Sequence, residues 1–342
     1  MSNSLFRLTA TRVMETVRQP EAIFWTFLFP VLMAVVLGVA FRAERPEAVV
    51  AVVVEKSGAD RIVHALRDDR RIRVERWGGP EAERRLRAGK AAILLIPGDP
   101  LTYRFDPSRS ESRLARATVD DALQTRFGRI DPIRVRDERV TERGSRYIDF
   151  LVPGLLGMNL MGGGLWGIGW TIVEMRIRRL LKLQLTTPMR RRDFLLSHVL
   201  VRAVFLPVEV VPLLLFAWLF FDVRVAGSYA ALGVISLLGA VSFAGLGMLI
   251  ASRARSTGAI SGLINLCSLP MFVLSGVFFS TARFPDSVQP WIRALPLTAL
   301  IDALRQVALD GAGLAATAPR LLVLALWGAA SLAVALRVFR WS

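Results

Sequence analysis

IVEMRIRRLLKLQLTTPMRRRDFLLSH, residues 172–198, decides how this chain is read. Seven of its residues are basic (Arg176, Arg178, Arg179, Lys182, Arg190, Arg191 and Arg192), and only Glu174 and Asp193 oppose them. It lies between two long apolar segments, 148–171 and 199–221, and no other short loop between apolar segments is so positive. Membrane proteins gather Lys and Arg in their short cytoplasmic loops, so this charge orients every other segment. Val173, Ile177, Leu180 and Leu181 recur at helical spacing beside Arg178, Arg179 and Lys182, which predicts an amphipathic helix on the membrane surface. Thr187-Pro188 reads as a cap followed by proline at the first helical position, so a second helix is expected to start there. A helix–turn–helix held at the membrane face suits docking of a soluble partner. The plainer reading is that the arginines fix topology and touch lipid phosphate.

Working outward, the composition agrees with a membrane protein. The 342 residues are 53% hydrophobic, and the mean hydropathy is +0.45. At least five stretches approach or exceed the roughly 20 apolar residues that a helix needs to cross a bilayer. The net charge of +16 would point a soluble protein towards nucleic acid. Here it divides by compartment: residues 42–146 hold 24 basic and 18 acidic side chains, and the remainder 20 and 10. Much of the second share falls in the expected cytoplasmic loops and tails, which argues against nucleic-acid binding. The one cysteine, Cys267, lies in an apolar segment, so no intrachain disulfide forms and the thiol reads as a small buried hydrophobe. Residues 2–19 are amphipathic, with no short apolar core before a small-residue cleavage site, and no cleavable signal is expected.

The order of segments follows. Residues 4–18 read as a helix lying flat on the cytoplasmic leaflet, with Arg7, Arg12 and Arg18 as its cations, within an interfacial segment 1–22. A first span covers 23–41, with Pro30 as an expected kink. Residues 42–146 then change character: strands at 48–54, 72–77, 91–96 and 101–105 alternate with helices at 59–68, 80–88 and 110–127, and a closing strand is expected at 130–140. That pattern predicts a small α/β domain on the outer side. His64 stands alone in it and reads as an ordinary histidine. The second span, 148–171, is glycine-rich; Gly163 and Gly167 have the spacing that lets helices approach closely, and Asn159 offers a hydrogen bond across such a contact. The third, 199–221, carries Glu209 deep within it, either facing cargo or making a structural hydrogen bond. A fourth span at 229–252 and a fifth at 258–279, with Gly258, Gly262 and Asn265, lead to an amphipathic outer segment 280–318. There short helices are expected at 286–295 and 297–309, with Asp302 and Arg305 paired one turn apart. A sixth span, 320–338, returns the chain to the side of the basic loop.

These features resemble a known family, the permease subunit of type 2 ABC export systems (the ABC-2 type transporter permeases), over nearly the whole chain. The strongest likeness is LQLTTPMRRRDFLLSH (183–198), similar to the family's T-P-x-x-R-x-[DE]-[FY] loop. The second is LSGVFFSTARFPDSVQPWIRALPLTALIDALRQVALDG (274–311), similar to its outer segment ending P-L-T-x-x-x-D-A-L-R. One departure stands before the loop, where many members carry R-E-x-G-T and this chain reads Glu174-Met-Arg-Ile-Arg-Arg without the glycine. The resemblance implies an α-helical integral membrane protein with six transmembrane helices and a small α/β extracytoplasmic domain between the first and second spans. It implies a bacterial cytoplasmic (inner) membrane, with both termini cytoplasmic. It implies a partner ATPase in the cytoplasm, carrying ATP and Mg and docked on a loop that contains Glu174, Arg178, Arg179, Thr187, Pro188, Arg190, Arg191, Arg192 and Asp193. It implies a second permease copy, identical or paralogous, with a cargo path between the two near Asn159, Gly163, Gly167, Glu209 and Asn265. Pro296, Asp302 and Arg305 mark its outer segment. Drug or lipid-like cargo, and in some members a periplasmic adaptor, complete the expectation.

No G-x-x-x-x-G-K-[ST] occurs in the chain, so ATP hydrolysis is assigned to another polypeptide, and no catalytic residue, cofactor or metal is expected here. The sequence also admits two rival readings. A receptor with 42–146 as ligand-binding module is disfavoured by the short segment after the sixth span. A membrane enzyme acting on lipid is disfavoured by the scarcity of histidine and of clustered carboxylates near span ends.

Overall fold

The computed structural model describes residues 3–18, 24, 28–40, 48–107, 109–129, 146–185 and 191–339. The chain divides into two compact units, one formed by Met1–Arg42 with Thr141–Ser342 and the other by Ala43–Val140.

The smaller unit is built on AVVAVVV. β-Branched residues suit a pleated strand, and β1 (Val49–Val54) forms at the centre of a four-stranded sheet. Helix α3 (Ala59–Leu66) leads to β2 (Ile72–Trp77), which pairs parallel to one side of β1; helix α4 (Gly79–Arg87) crosses to β3 (Ile93–Ile96), parallel on the other side. β4 (Thr102–Arg104) then adds antiparallel to β3, and α5 (Ser110–Arg126) follows. Successive strand residues point to opposite faces. Ala51 and Val53 therefore meet Ile62 and Leu66 of α3 and Val119 and Leu123 of α5. Val52 and Val54 meet Ala82 and Leu86 of α4. A central strand buried on both faces explains the unbroken apolar run. The expected closing strand at 130–140 lies outside the described residues.

In the larger unit, α1 (Asn3–Val17) and α2 (Phe29–Ala40) precede a helix of 31 residues, α6 (Tyr147–Ile177), whose stretch Gly163–Trp170 is π-helical. Then come α7 (Leu180–Leu185), α8 (Arg191–Phe221), α9 (Tyr229–Ala251), α10 (Thr257–Leu274), α11 (Gln289–Ala294), α12 (Pro296–Ala308) and α13 (Leu314–Val338). Among the described residues five helices are long and apolar enough to cross a membrane: Tyr147–Ile177, Leu196–Phe221, Tyr229–Ala251, Thr257–Leu274 and Leu314–Val338. This is a multi-pass membrane protein. The helix of the expected first span is described over Phe29–Ala40, 12 residues, short of spanning length by itself, with the π-helical Leu28 directly before it and Pro30 two residues on.

Two expectations need correction. The helix–turn–helix is not a separate surface motif. Residues 172–177 continue the second span, with Ile172 and Val173 fully buried, and the break falls at Arg179, whose φ is 60°. The far side of the loop is likewise the start of a 31-residue helix that runs unbroken into the third span. Neither the charge of Arg176 nor that of Arg191 and Arg192 stops the helix, because helical hydrogen bonding is indifferent to whether the next residue suits lipid. In the outer amphipathic segment the two expected short helices form, at Gln289–Ala294 and Pro296–Ala308, and the second sits deeper than an amphipathic surface helix would. Pro296 opens α12 at a position where its missing N–H is harmless. Leu297, Leu300, Ile301, Leu304 and Val307, at helical spacing, are fully buried in the main core. A helix packed on α6, α9 and α13 in this way is part of the bundle, not a surface element.

Candidate functional site

The basic loop begins where α6 ends. Glu174 and Arg178, one turn apart, form an exposed ion pair with an N–O distance of 2.6 Å. Exposed pairs of this kind contribute little to stability, so both charges stay available at the surface. Arg178 ends the helix and Arg179 turns the chain. Asp193 stands half-buried in the first turn of α8, where a carboxylate complements the helix dipole. Arg191 and Arg192 open that helix. Thr187, Pro188 and Arg190 fall outside the described residues. Arg176, counted among the loop charges, belongs to the body of the protein: its guanidinium donates to the carbonyls of Ala251 and Ala254 in the turn after α9.

The amphipathic N-terminal helix packs against the start of the third span. Arg12 was expected to face the leaflet; it is buried. Its Nη1 lies 2.9 Å from His198 Nε2, and its guanidinium stacks 4.7 Å from the centroid of the Phe194 ring. An arginine only donates, so Nε2 accepts, and Nδ1–H donates to the Phe194 carbonyl at 3.0 Å. Burial draws the Arg12 guanidinium down to about 10, with Glu15 acting in the opposite sense. His198 was not singled out from sequence, though the four-residue step from Phe194 places both on one helix face.

Deep in the bundle, Glu209 meets Arg202 of the same helix, two turns earlier. Both guanidinium nitrogens donate, Nη1 to Oε1 and Nη2 to Oε2, the latter at 2.8 Å. The Glu209 side chain is fully enclosed and that of Arg202 is 10% exposed. Gly163 makes the room, because a Cβ there would overlap the guanidinium. Gly163 therefore accommodates a side chain instead of joining two helices, and Gly167 has nothing within 4 Å of where a Cβ would stand. The close approach lies one residue away. A Cβ on Gly164 would come within 2.5 Å of Phe243 Cβ, and one on Gly247 would overlap the Gly164 carbonyl. The phase differs from the expected glycine pair because the stretch is π-helical, with i→i+5 bonding and a wider turn. Asn159 is half-buried and Asn265 is exposed on α10.

At the opposite end of the bundle Arg305 does more than its expected pairing with Asp302. Its Nε and Nη2 donate to the Phe150 carbonyl at 3.2 and 3.1 Å, and Nη2 to the Gly276 carbonyl at 2.6 Å, with the guanidinium 3.4 Å over the Phe150 ring. Among the described residues no ion pair joins it to Asp302, because those carbonyls hold the fork elsewhere. Arg146 works similarly. It clasps Asp149 at 2.8 Å and reaches the Phe221 carbonyl at 2.8 Å, tying the start of α6 to the end of α8.

No curated protein matches the chain. The family model described as "ABC-2 family transporter protein" matches residues 20–337, a stretch that takes in the α/β unit, the basic loop, all five spans and the Arg305 helix. Through that match, the chain belongs to the ABC-2 transporter family and is a membrane permease component of an ABC transporter.

Proposed function

We propose that this permease exports a hydrophobic or amphipathic cargo, a drug or lipid-like molecule, using ATP hydrolysed with Mg on a separate cytoplasmic ATPase. In this reading six helices span the inner membrane, the first containing Phe29–Ala40. Both termini and the basic loop are cytoplasmic, and the α/β unit is outside. Two permease copies enclose the cargo path, and the ATPase docks on the loop around Glu174, Arg178, Arg179 and Arg190–Asp193. The family match over residues 20–337 is the observation that carries the reading. It is supported by the concentration of exposed cations beside the break at Arg179, at one end of the long helices.

The test is co-expression with a lone ATP-binding cassette protein, co-purification, and uptake of a lipophilic dye into inverted vesicles. The expected result is a stable complex and ATP-dependent uptake that vanishes when the ATPase carries a Lys→Ala change in its phosphate loop. A well-assembled permease that captures no ATPase and moves no dye with ATP overturns the proposal.

A further inference from the structure

We infer that Arg176 is the positioning residue through which the basic loop sets the place of the Thr257–Leu274 helix, an inference that rests on the proposed docking of an ATPase on that loop. Arg176 occupies the last turn of α6, immediately before the break at Arg179. Its Nη1 donates to the carbonyls of Ala251 at 2.7 Å and Ala254 at 2.5 Å, and its Nη2 to that of Ser252 at 3.4 Å. The last carbonyls of a helix have no N–H partner within it, and the negative end of the helix dipole favours a cation there. One guanidinium therefore caps α9 and grips the short turn that launches α10. The grip matters because α10 is the more open of the two helices that this turn joins, with 22% of its apolar stretch buried against 67% for α9. Its buried Ile260 and Ile264 rest on the Gly169 stretch of α6, the helix that carries Arg176. A pull on the loop after Arg178 thus reaches the turn at 252–256 through Arg176, alongside the packing of Ile260 and Ile264 on α6, and α10 follows. Lysine does not replace this contact, since one ammonium lacks the planar fork that serves several carbonyls at once.

The experiment uses the full-length permease with its ATPase in liposomes, comparing wild type with Arg176→Lys, Arg176→Ala and, as a control on an exposed ion pair outside the basic loop, Arg224→Ala. The readout is dye moved per ATP hydrolysed. Both Arg176 variants are expected to assemble and hydrolyse ATP, while dye per ATP falls about tenfold, the scale of a typical coupling between sites. Arg224→Ala should leave that ratio unchanged. An unchanged ratio in the Arg176 variants, or transport and hydrolysis falling in parallel, overturns the inference. Should Arg176→Ala fail to assemble, the charge-preserving Arg176→Lys decides. A second measurement needs no ATPase: a spin label at Ser261→Cys, in a Cys267→Ala background, should become more mobile in Arg176→Lys and not in Arg224→Ala. If wild type itself shows no ATP-driven transport, the function proposed above fails, and the mobility at position 261 still judges Arg176.

Discussion

A charge inside a span costs about 2.5–3.5 kcal/mol on insertion scales unless something answers it. Arg202 and Glu209 answer each other, and the geometry fixes what substitution should do. Arg202→Met or Glu209→Leu alone leaves one buried charge uncompensated and should lower stability by about 3–5 kcal/mol, whereas the double variant should recover most of the loss. Melting temperatures of the purified permease in detergent check this, and additive losses in the double variant would show that the two charges do not depend on each other. The double variant is expected to retain dye transport, because the pair is satisfied within one helix. Glu209 was legible in the sequence as a carboxylate deep in an apolar run. Arg202 was not, although it stands in the same run, because it sits near the end where arginines are expected to snorkel to the surface. The seven-residue spacing, two helical turns, was the available signal. At the other end of the bundle, Arg305→Lys should cost about 2–3 kcal/mol, the worth of a charge-assisted hydrogen bond, since an ammonium does not span the Phe150 and Gly276 carbonyls. The sequence offered Asp302 as partner by helical spacing, but spacing along a helix says nothing of carbonyls brought in from other helices.

Among the elements, the π-helical stretch of the second span decides which glycines matter. Gly164→Ala and Gly247→Ala force backbones apart where a Cβ has no space, and each should destabilise by about 1–3 kcal/mol or more, as overpacking does. Gly167→Ala meets nothing and should be neutral or slightly stabilising, since alanine is the better helix former by about 1 kcal/mol. Thermal melts of the three variants make the comparison, and a Gly167→Ala loss equal to that of Gly164→Ala would place the contact on the wrong face. The α/β unit was the most legible element of all. Its strands alternate or run β-branched, two of its three helices start at or just after glycine, and short elements closed by local signals leave little for tertiary context to change. In that unit, burial and the hydrogen bond to Asp120 push the Tyr103 phenol up to about 12. The fold thus favours the protonated phenol, so its contribution is complete below the ordinary value near 10 and is lost as pH rises towards 12. Wild type should therefore exceed Tyr103→Phe in stability near neutrality, with the gap closing over that alkaline window. A gap that stays constant across it would mean the phenol titrates normally.

For the whole molecule, hydropathy and charge located five of the six expected spans, because solvent quality acts on every segment at once. They did not show how far the helices run beyond the apolar stretches. Lipid preference ends where charges begin, yet the helices at Ile177 and Arg191 do not: backbone bonding carries α6 and α8 past the point where hydropathy stops. That continuity sharpens what the arginines should do. Arg191 and Arg192 stand at the N-terminal end of a helix, where cations oppose the dipole by some tenths of a kcal/mol. Their presence there points to an outside requirement, either an acidic surface on the ATPase or lipid phosphate. Replacing Arg190, Arg191 and Arg192 together by alanine leaves Arg178, Arg179 and Lys182 in the same loop, so insertion and orientation should survive. Labelling of Ser57→Cys in intact cells, in a Cys267→Ala background, checks whether the α/β unit is outside in this variant, as proposed for wild type. Association with the ATPase should weaken, and more steeply as salt rises, because exposed charge contacts are screened within about 8–10 Å near physiological ionic strength. Arg176 does not share this role, since its cation is already engaged by the turn after Ala251. ATPase recovery at wild-type levels across the salt series, with normal permease abundance, would assign the three arginines to lipid and topology. Docking would then have to rest on apolar residues of the loop such as Ile177, Leu180 and Leu183, which stand exposed beside the break.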